Sequence, residues 1–436
     1  MSLEVRRPVR GRPADGRFPM PRRLFRAAAV TVLLASSAVL AGTGPEAGHP
    51  SVCLRCGDPI RGDAALRLHA ARFGLLDSAS LAGLAPTDDP LLRHQVYLRT
   101  CRFPQAWKLV REAALPAGPA VRVAVLDFGF ALPHPDLPAP DDAAAPDGAG
   151  RGGPGASVSS SRTGPARRSV RSHGNQSLGL IGALADNGTG IRGAAPEVAL
   201  LPFETADPLQ AAGAVLLAVR RGARVLNLSW DCAAHPALRS ALLAASAAGC
   251  VVVLAVPNDA RNLDRAPSFP LSCAFPGMLG VIACDTLAPN KPLAVSAWGA
   301  RSARLAAPGD SILTTVAPPD FGFVEGTSAA APLVSAAAAL VLRCAPWLRG
   351  PEVAALLVAT VHRTPALTGA CVSGGVLDAE AAVRAALRLV RPVRGSGSST
   401  ADGDLITSTC TQRGLRPQTR TGITEAQTTC APGAPR

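Results

Sequence analysis

Four residues of this chain have types and settings that suit acyl-transfer chemistry. Ser328 lies in the run Gly326-Thr327-Ser328-Ala329-Ala330-Ala331-Pro332. The glycine permits a tight turn, and the Ala-, Leu- and Val-rich stretch from Ala329 to Val341 predicts a buried helix. Ser328 then stands at a helix N-terminus, where free N–H groups and the positive end of the dipole favour a developing negative charge. A serine in that position can act as a nucleophile. Taken alone, Thr327 or Ser328 as a plain helix N-cap is the commoner arrangement, so the serine needs a base and an orienting acid elsewhere in the chain.

The acid is Asp127. It ends the apolar run Val121-Arg122-Val123-Ala124-Val125-Leu126-Asp127, which predicts a buried parallel strand. Open α/β sheets carry their chemistry at the C-terminal ends of strands, and an Asp there can hold a histidine in the useful tautomer. Read by itself it is equally an Asp capping a turn. The base is His173, at the start of His173-Gly174-Asn175-Gln176-Ser177-Leu178-Gly179-Leu180-Ile181, a turn entering a helix. The helix N-terminus is expected to lower the imidazole pKa and keep it neutral. Asn258 follows the strand-like Val251–Val256 and offers an uncharged donor for a tetrahedral oxyanion, although Asn at a turn is otherwise ordinary.

The elements that must position these residues alternate. Glu197–Glu204, Arg224–Trp230, Val251–Val256 and Val281–Leu287 read as strands. Pro208–Gly222, Pro236–Gly249 and Pro351–Val361 read as helices, with a last one running to about Leu389. Strands separated by helices of this length imply right-handed crossovers and a mainly parallel sheet, an α/β fold.

Together these motifs resemble the subtilisin-like serine proteases. The Ser328 heptapeptide matches the family's G-T-S-x-[SA]-x-P signature at every fixed position. His173 onward is similar to its His-Gly-Thr-x-Val-x-Gly motif, with Asn175 in place of Thr. The order Asp127, His173, Asn258, Ser328 is the family's order. The resemblance spans about residues 88–390, opening on Asp89-Pro90-Leu91 and Gln105-Ala106-Trp107. It implies a three-layer fold with helices on both faces of the sheet and serine endopeptidase activity through Asp127, His173 and Ser328. Asn258 is then in the oxyanion hole, and Ser229 and Trp230 lie on the strand that receives substrate backbone by β-augmentation. It also implies no cofactor for the chemistry, and a structural Ca²⁺ held by Asp136 of His134-Pro135-Asp136-Leu137 and by Asn187 of the Asp186–Ile191 loop. The implied partners are polypeptide substrates, with no nucleic acid, no stable membrane insertion and a monomeric chain.

Three departures bear on activity. Phe128 replaces the small hydroxyl residue that usually follows the Asp and hydrogen-bonds it. Pro257 replaces a Gly and removes a backbone donor. Trp230-Asp231-Cys232 replaces a glycine-containing substrate wall. A non-catalytic homologue using the same groove to bind peptides or a partner, and an esterase or transferase using the same triad on another acyl donor, are the rival readings.

Composition sets the rest. The net charge of +13 invites a nucleic-acid partner, but residues 1–26 carry +6 and residues 391–436 carry +3, which leaves +4 for the body of the chain. That distribution marks no basic recognition surface. Arg22, Arg23 and Arg26 precede the apolar run Ala27–Ala41, too short to span a bilayer comfortably. Residues 1–41 therefore read as a signal peptide, with Arg22-Arg23-Leu24-Phe25 faintly like a twin-arginine signal and an organelle transit peptide as the competing reading. Export to the periplasm or the outside follows. Residues 42–87 stand where the family carries a prodomain and hold one helix-like piece near Ala64–Gly74. Residues 138–170 read as an exposed loop insertion, and 391–436 as a disordered tail. Eleven cysteines permit disulfides in an exported chain, Cys344 with Cys371 first among them. A lone Cys53-x-x-Cys56 makes no zinc site.

Overall fold

Apolar residues along the strands split onto two faces at a period of two, and each face collects its own helices. The computed structural model describes residues 60, 63–76, 87–140, 172–205, 207–289 and 291–389. The expected leader 1–41, the tail 391–436 and all but the first three residues of the insertion 138–170 lie outside them.

The main sheet contains β1 (Arg122–Asp127), β2 (Ala199–Glu204), β3 (Val225–Leu228), β4 (Val251–Ala255), β5 (Met278–Cys284) and β6 (Leu305–Pro308), closed by the short β9 (His362–Arg363) and β10 (Gly375–Val376). Its order is β2-β1-β3-β4-β5-β6-β10-β9, parallel throughout except for the β10–β9 edge. A hairpin of β7 (Ile312–Thr315) and β8 (Phe321–Val324) leads into the Ser328 segment.

On one face Val123, Val125, Val251, Val253, Leu279 and Val281 pack against α4 (His173–Gly182), α7 (Thr327–Cys344), α8 (Gly350–Ala359) and α9 (Ala379–Leu387), with α2 (Val96–Thr100) and α3 (Phe103–Glu112) on the same side. On the other face Ala124, Leu126, Leu226, Leu228, Val252 and Leu254 meet α5 (Pro208–Arg220) and α6 (Pro236–Ala247). This is the three-layer, mainly parallel α/β arrangement expected from the alternation. Helix α7 is long and apolar enough to cross a bilayer, but 89% of its apolar window is buried inside the protein, so its composition serves the core.

Two expectations need correction. The fifth strand was expected at Val281–Leu287 and runs instead from Met278 to Cys284. The Asp285 carboxylate accepts from the N–H groups of Leu287 and Ala288 at 2.9 and 2.8 Å, and that side-chain turn ends the strand early. Cys344 and Cys371 are both free, and they belong to the cores on opposite faces of the sheet, so no bridge joins them.

The N-terminal helix is present as α1 (Asp63–Phe73) and docks on the hairpin. Its His69 ring is sandwiched between Phe73 at 4.7 Å and Phe323 at 4.3 Å. Ile60 N donates to Phe321 O and Leu76 N to Arg93 O, each at 2.8 Å. Burial drives His69 down to about 4; a backbone hydrogen bond with Ser311 opposes this, and His94 and Arg72 add to it. A histidine depressed in the folded state stabilises the fold above its unfolded value of about 6.5 and loses that contribution as pH falls toward 4. Thermal midpoints measured from pH 7.5 down to 4.5 should fall in the wild type, and His69→Phe should flatten part of that slope. Equal slopes would show that His69 carries no such linkage.

Candidate active site

The end of β1 and the start of α4 meet at a closed hydrogen-bond cluster. Asp127 is fully buried. Its Oδ1 accepts from His173 Nδ1 at 2.7 Å and from Phe128 N at 2.8 Å, and its Oδ2 accepts from Ser177 Oγ at 2.9 Å. The loop after β1 is held by Glu204 of β2, whose carboxylate accepts from Gly129 N at 3.0 Å and Phe130 N at 3.2 Å. Asn175, in place of the expected Thr, stitches α4 to that loop: its Oδ1 accepts from Ala131 N at 2.7 Å and its Nδ2 donates to Ala131 O at 2.8 Å. The Phe128 ring lies flat on the His173 imidazole, with centroids 4.7 Å apart and planes 11° from parallel.

His173 was expected to have a lowered pKa, and it is raised. Burial pulls it down, but the charge of Asp127 and the hydrogen bond to it outweigh the burial. An ion partner in direct contact beats the diffuse field of a helix end.

The segment that carries Ser328 meets Asn258 just beyond the end of β4, two strands along from β1. Gly326, at φ 115°, turns the chain into α7, and a Cβ there would crowd the Asn258 amide at 3.2 Å. Asn258 Oδ1 accepts from Thr327 N at 3.1 Å, and Thr327 Oγ1 donates to Val256 O at 2.5 Å. This ties the acceptor end of the Asn258 amide to the helix start. Among the described residues its Nδ2 donates to no protein acceptor. The Ser328 N–H belongs to the first turn, where no intrahelical acceptor exists. Ser328 is partly exposed. Among the described residues no hydrogen bond joins its Oγ to His173 Nε2, although α4 and α7 pack side by side; such contacts commonly tighten only when substrate binds.

The remaining expected residues fall differently. The Ser229 hydroxyl is buried and accepts from Asn227 Nδ2 at 2.9 Å. Trp230 turns its indole N–H back to Leu126 O at 2.6 Å, bracing the strand that ends in Asp127.

Asp136 and Asn187, the expected calcium ligands, come together and bond each other. Asp136 Oδ1 accepts from Asn187 Nδ2 at 3.0 Å and its Oδ2 from Ile191 N at 2.9 Å. Asn187 Oδ1 accepts from Thr189 N at 2.9 Å, which fixes the amide with its donor toward Asp136. Burial pushes Asp136 up to about 7 against those two donors, with Asp89 adding to the rise. Each of these oxygens thus already accepts one N–H group. Nearby, carboxylate oxygens of Asp88, Asp89 and Asp186 lie within 4.8 Å of one another. Arg192 stands against them, its Nη1 2.9 Å from both Asp186 oxygens and 3.7 Å from Asp89 Oδ2. Its backbone is locked to Gln95 by two 2.8 Å bonds. The positive charge beside Asp186 and Asp89 is the Arg192 guanidinium. Arg192→Met should lower the thermal midpoint by about 3–10 °C, and chelation with EDTA tests the calcium expectation separately. A large fall on chelation would place a cation in this loop.

Sequence reasoning passed over Ser177, Glu204 and the Thr327 clamp. Ser177 had a signal: it lies four residues after His173, on the same helix face, where the family motif carries Val.

Comparison with known proteins agrees with this geometry. The Subtilase family profile matches residues 118–386. The major intracellular serine protease of Bacillus subtilis is 27% identical over 264 residues, 58% of this chain and 79% of that protein. An extracellular protease of Xanthomonas campestris is 30% identical over 242 residues, 49% of this chain and 40% of its own length. Thermitase of Thermoactinomyces vulgaris is 27% identical over 262 residues, 58% of this chain and 84% of that protein. A solved protease from Pseudoalteromonas arctica superposes with a TM-score of 0.54 at 23% identity, covering 69% of this chain and all of that one, and shares the fold. With the family profile covering most of the chain, and an Asp–His pair and a Gly-Thr-Ser helix start at one end of a parallel sheet, this protein belongs to the subtilase family of serine proteases.

Proposed function

We propose that the chain is an exported endopeptidase that cleaves peptide bonds through Ser328, His173 and Asp127 by way of an acyl-enzyme. The observation that carries this reading is the 2.7 Å bond from His173 Nδ1 to a carboxylate that is wholly buried. That bond orients the ring so that its other nitrogen acts as the base. His173 takes the Ser328 proton as the hydroxyl attacks the peptide carbonyl, and returns it to the leaving amine. Asp127 stabilises the imidazolium formed between those steps. The oxyanion is met by the Asn258 Nδ2 donor and the Ser328 N–H at the dipole's positive end. Water then releases the acyl group.

Substrate lies extended along the outer end of β3, bonded through main-chain groups. With the Ser229 hydroxyl and the Trp230 indole both turned inward, these two residues act by shaping the strand end rather than through their polar atoms. Export is supported by the basic and apolar leader in the sequence, and by relatives in Xanthomonas campestris and Dichelobacter nodosus whose names are extracellular proteases.

A fluorophosphonate should label wild-type protein on Ser328 and abolish cleavage of a peptide library. Ser328→Ala should lower kcat by about 10⁶-fold with peptide binding retained. A folded protein that binds peptides but forms no adduct would establish the binding-only role, and activity confined to simple esters would establish an esterase.

The pH dependence has a defined sign. The base must be neutral, and His173 lies above its ordinary 6.5, so kcat/KM should rise through an acid limb placed above pH 6.5 and level off in the alkaline range. Asp127→Asn removes both the charge and the correct tautomer. It should cost about 10⁴ in kcat and move the limb to lower pH. A wild-type limb well below pH 6 would contradict the pairing.

A further inference from the structure

We propose that Ser177 is the positioning residue of the Asp127–His173 pair, supplying from helix α4 the hydroxyl hydrogen bond that the chain forgoes by carrying Phe at position 128. The inference rests on the serine-protease reading above.

Two departures from the family pattern occur in this one cluster, and they compensate. The residue after the acid usually brings a small hydroxyl, and here it is Phe128. The fifth position of the His-Gly-Thr-x-Val-x-Gly motif is apolar, and here it is Ser177. The lost hydroxyl thus reappears across the space between strand and helix, 2.9 Å from Asp127 Oδ2. Ser177 is 1% exposed and Asp127 is 0% exposed, so no solvent competes for the bond. Among the described residues Ser177 is the only donor to Oδ2. Without it, a buried carboxylate oxygen would lack a partner, at a cost well above that of a surface group.

The placement also explains how Ser177 acts without touching a substrate. His173 and Ser177 are four residues apart on one helix, so both project from the same face. His173 bonds Oδ1 and Ser177 bonds Oδ2. One rigid helix therefore grips both oxygens of one carboxylate and fixes the carboxylate plane. The imidazole is then confined on two sides, by that plane at its Nδ1 edge and by the Phe128 ring on its face. A phenyl group at 128 is compatible with the acid only because the hydroxyl comes from elsewhere. An imidazole held in one orientation gains in the transition state, where misalignment costs most, and little in ground-state binding.

The test uses Ser177→Val and Ser177→Thr, which are nearly equal in volume and differ in the hydroxyl, with Ser177→Ala as a variant too small to overpack the site. Each is assayed on a fluorogenic peptide and for its rate of fluorophosphonate labelling. Val and Ala should lower kcat by about 10-fold with KM within about twofold, and slow labelling in parallel. Thr should stay within about threefold of wild type, with a thermal midpoint close to that of Val. Equal kcat in Thr and Val, or Ala matching wild type, overturns the role of the hydroxyl while leaving the protease reading standing. Wild-type protein that neither labels nor cleaves peptide overturns the reading itself.

Discussion

A carboxylate sealed inside a protein must have a donor at each of its oxygens, and the active end of this molecule is arranged around that demand. Asp127 ends β1, the strand beside the β2 edge of the sheet, and has no solvent contact. Its oxygens are answered by the His173 ring, the Phe128 backbone and the Ser177 hydroxyl. Two of the donors come from helix α4 and one from the loop after β1, so strand, loop and helix must all be in register before the cluster closes. The supports around it have the same purpose. Glu204 pins the loop, Asn175 ties loop to helix, and Trp230 bonds back to the last turn of the strand. Energetically, a half-satisfied cluster is worse than an apolar one, which gives the arrangement its all-or-none character.

The second half of the site is built on the same economy of small contacts. Gly326 lets the backbone pass against the Asn258 amide, and Thr327 anchors that amide by its acceptor end. That leaves the Asn258 Nδ2 and the Ser328 N–H without a protein acceptor among the described residues. That α7 is nearly all Ala, Leu and Val follows from its position. It runs through the core between the sheet and the neighbouring helices, where small side chains permit close packing.

The sequence was most informative where function demands particular residue types. Gly326 to Pro332 and the acid at the end of an apolar strand were legible because turn, helix start and strand end each leave local marks. Where the outcome depended on which distant groups came within reach, local patterns failed. Nothing local showed that the Asn187 amide donates to Asp136 while its oxygen accepts from Thr189 N. Cys344 and Cys371 looked like a bridge, yet the sheet separates them. The fifth strand slipped by three residues because one Asp side chain captured two backbone N–H groups.

The amino-acid order alone determined the alternating strands and helices, and with them the sheet and the positions of Asp127, His173, Asn258 and Ser328 along it. Periodicity and turn chemistry are properties of neighbours in the chain, and they survive without a fold. Only the tertiary structure decided that the imidazole pKa is raised rather than lowered, that the Arg192 guanidinium pairs with Asp186, and that the Ser177 hydroxyl of a helix donates to the Asp127 carboxylate. Those outcomes depend on burial and on distances of about 3 Å between groups remote in sequence, and both come into being only when the chain packs.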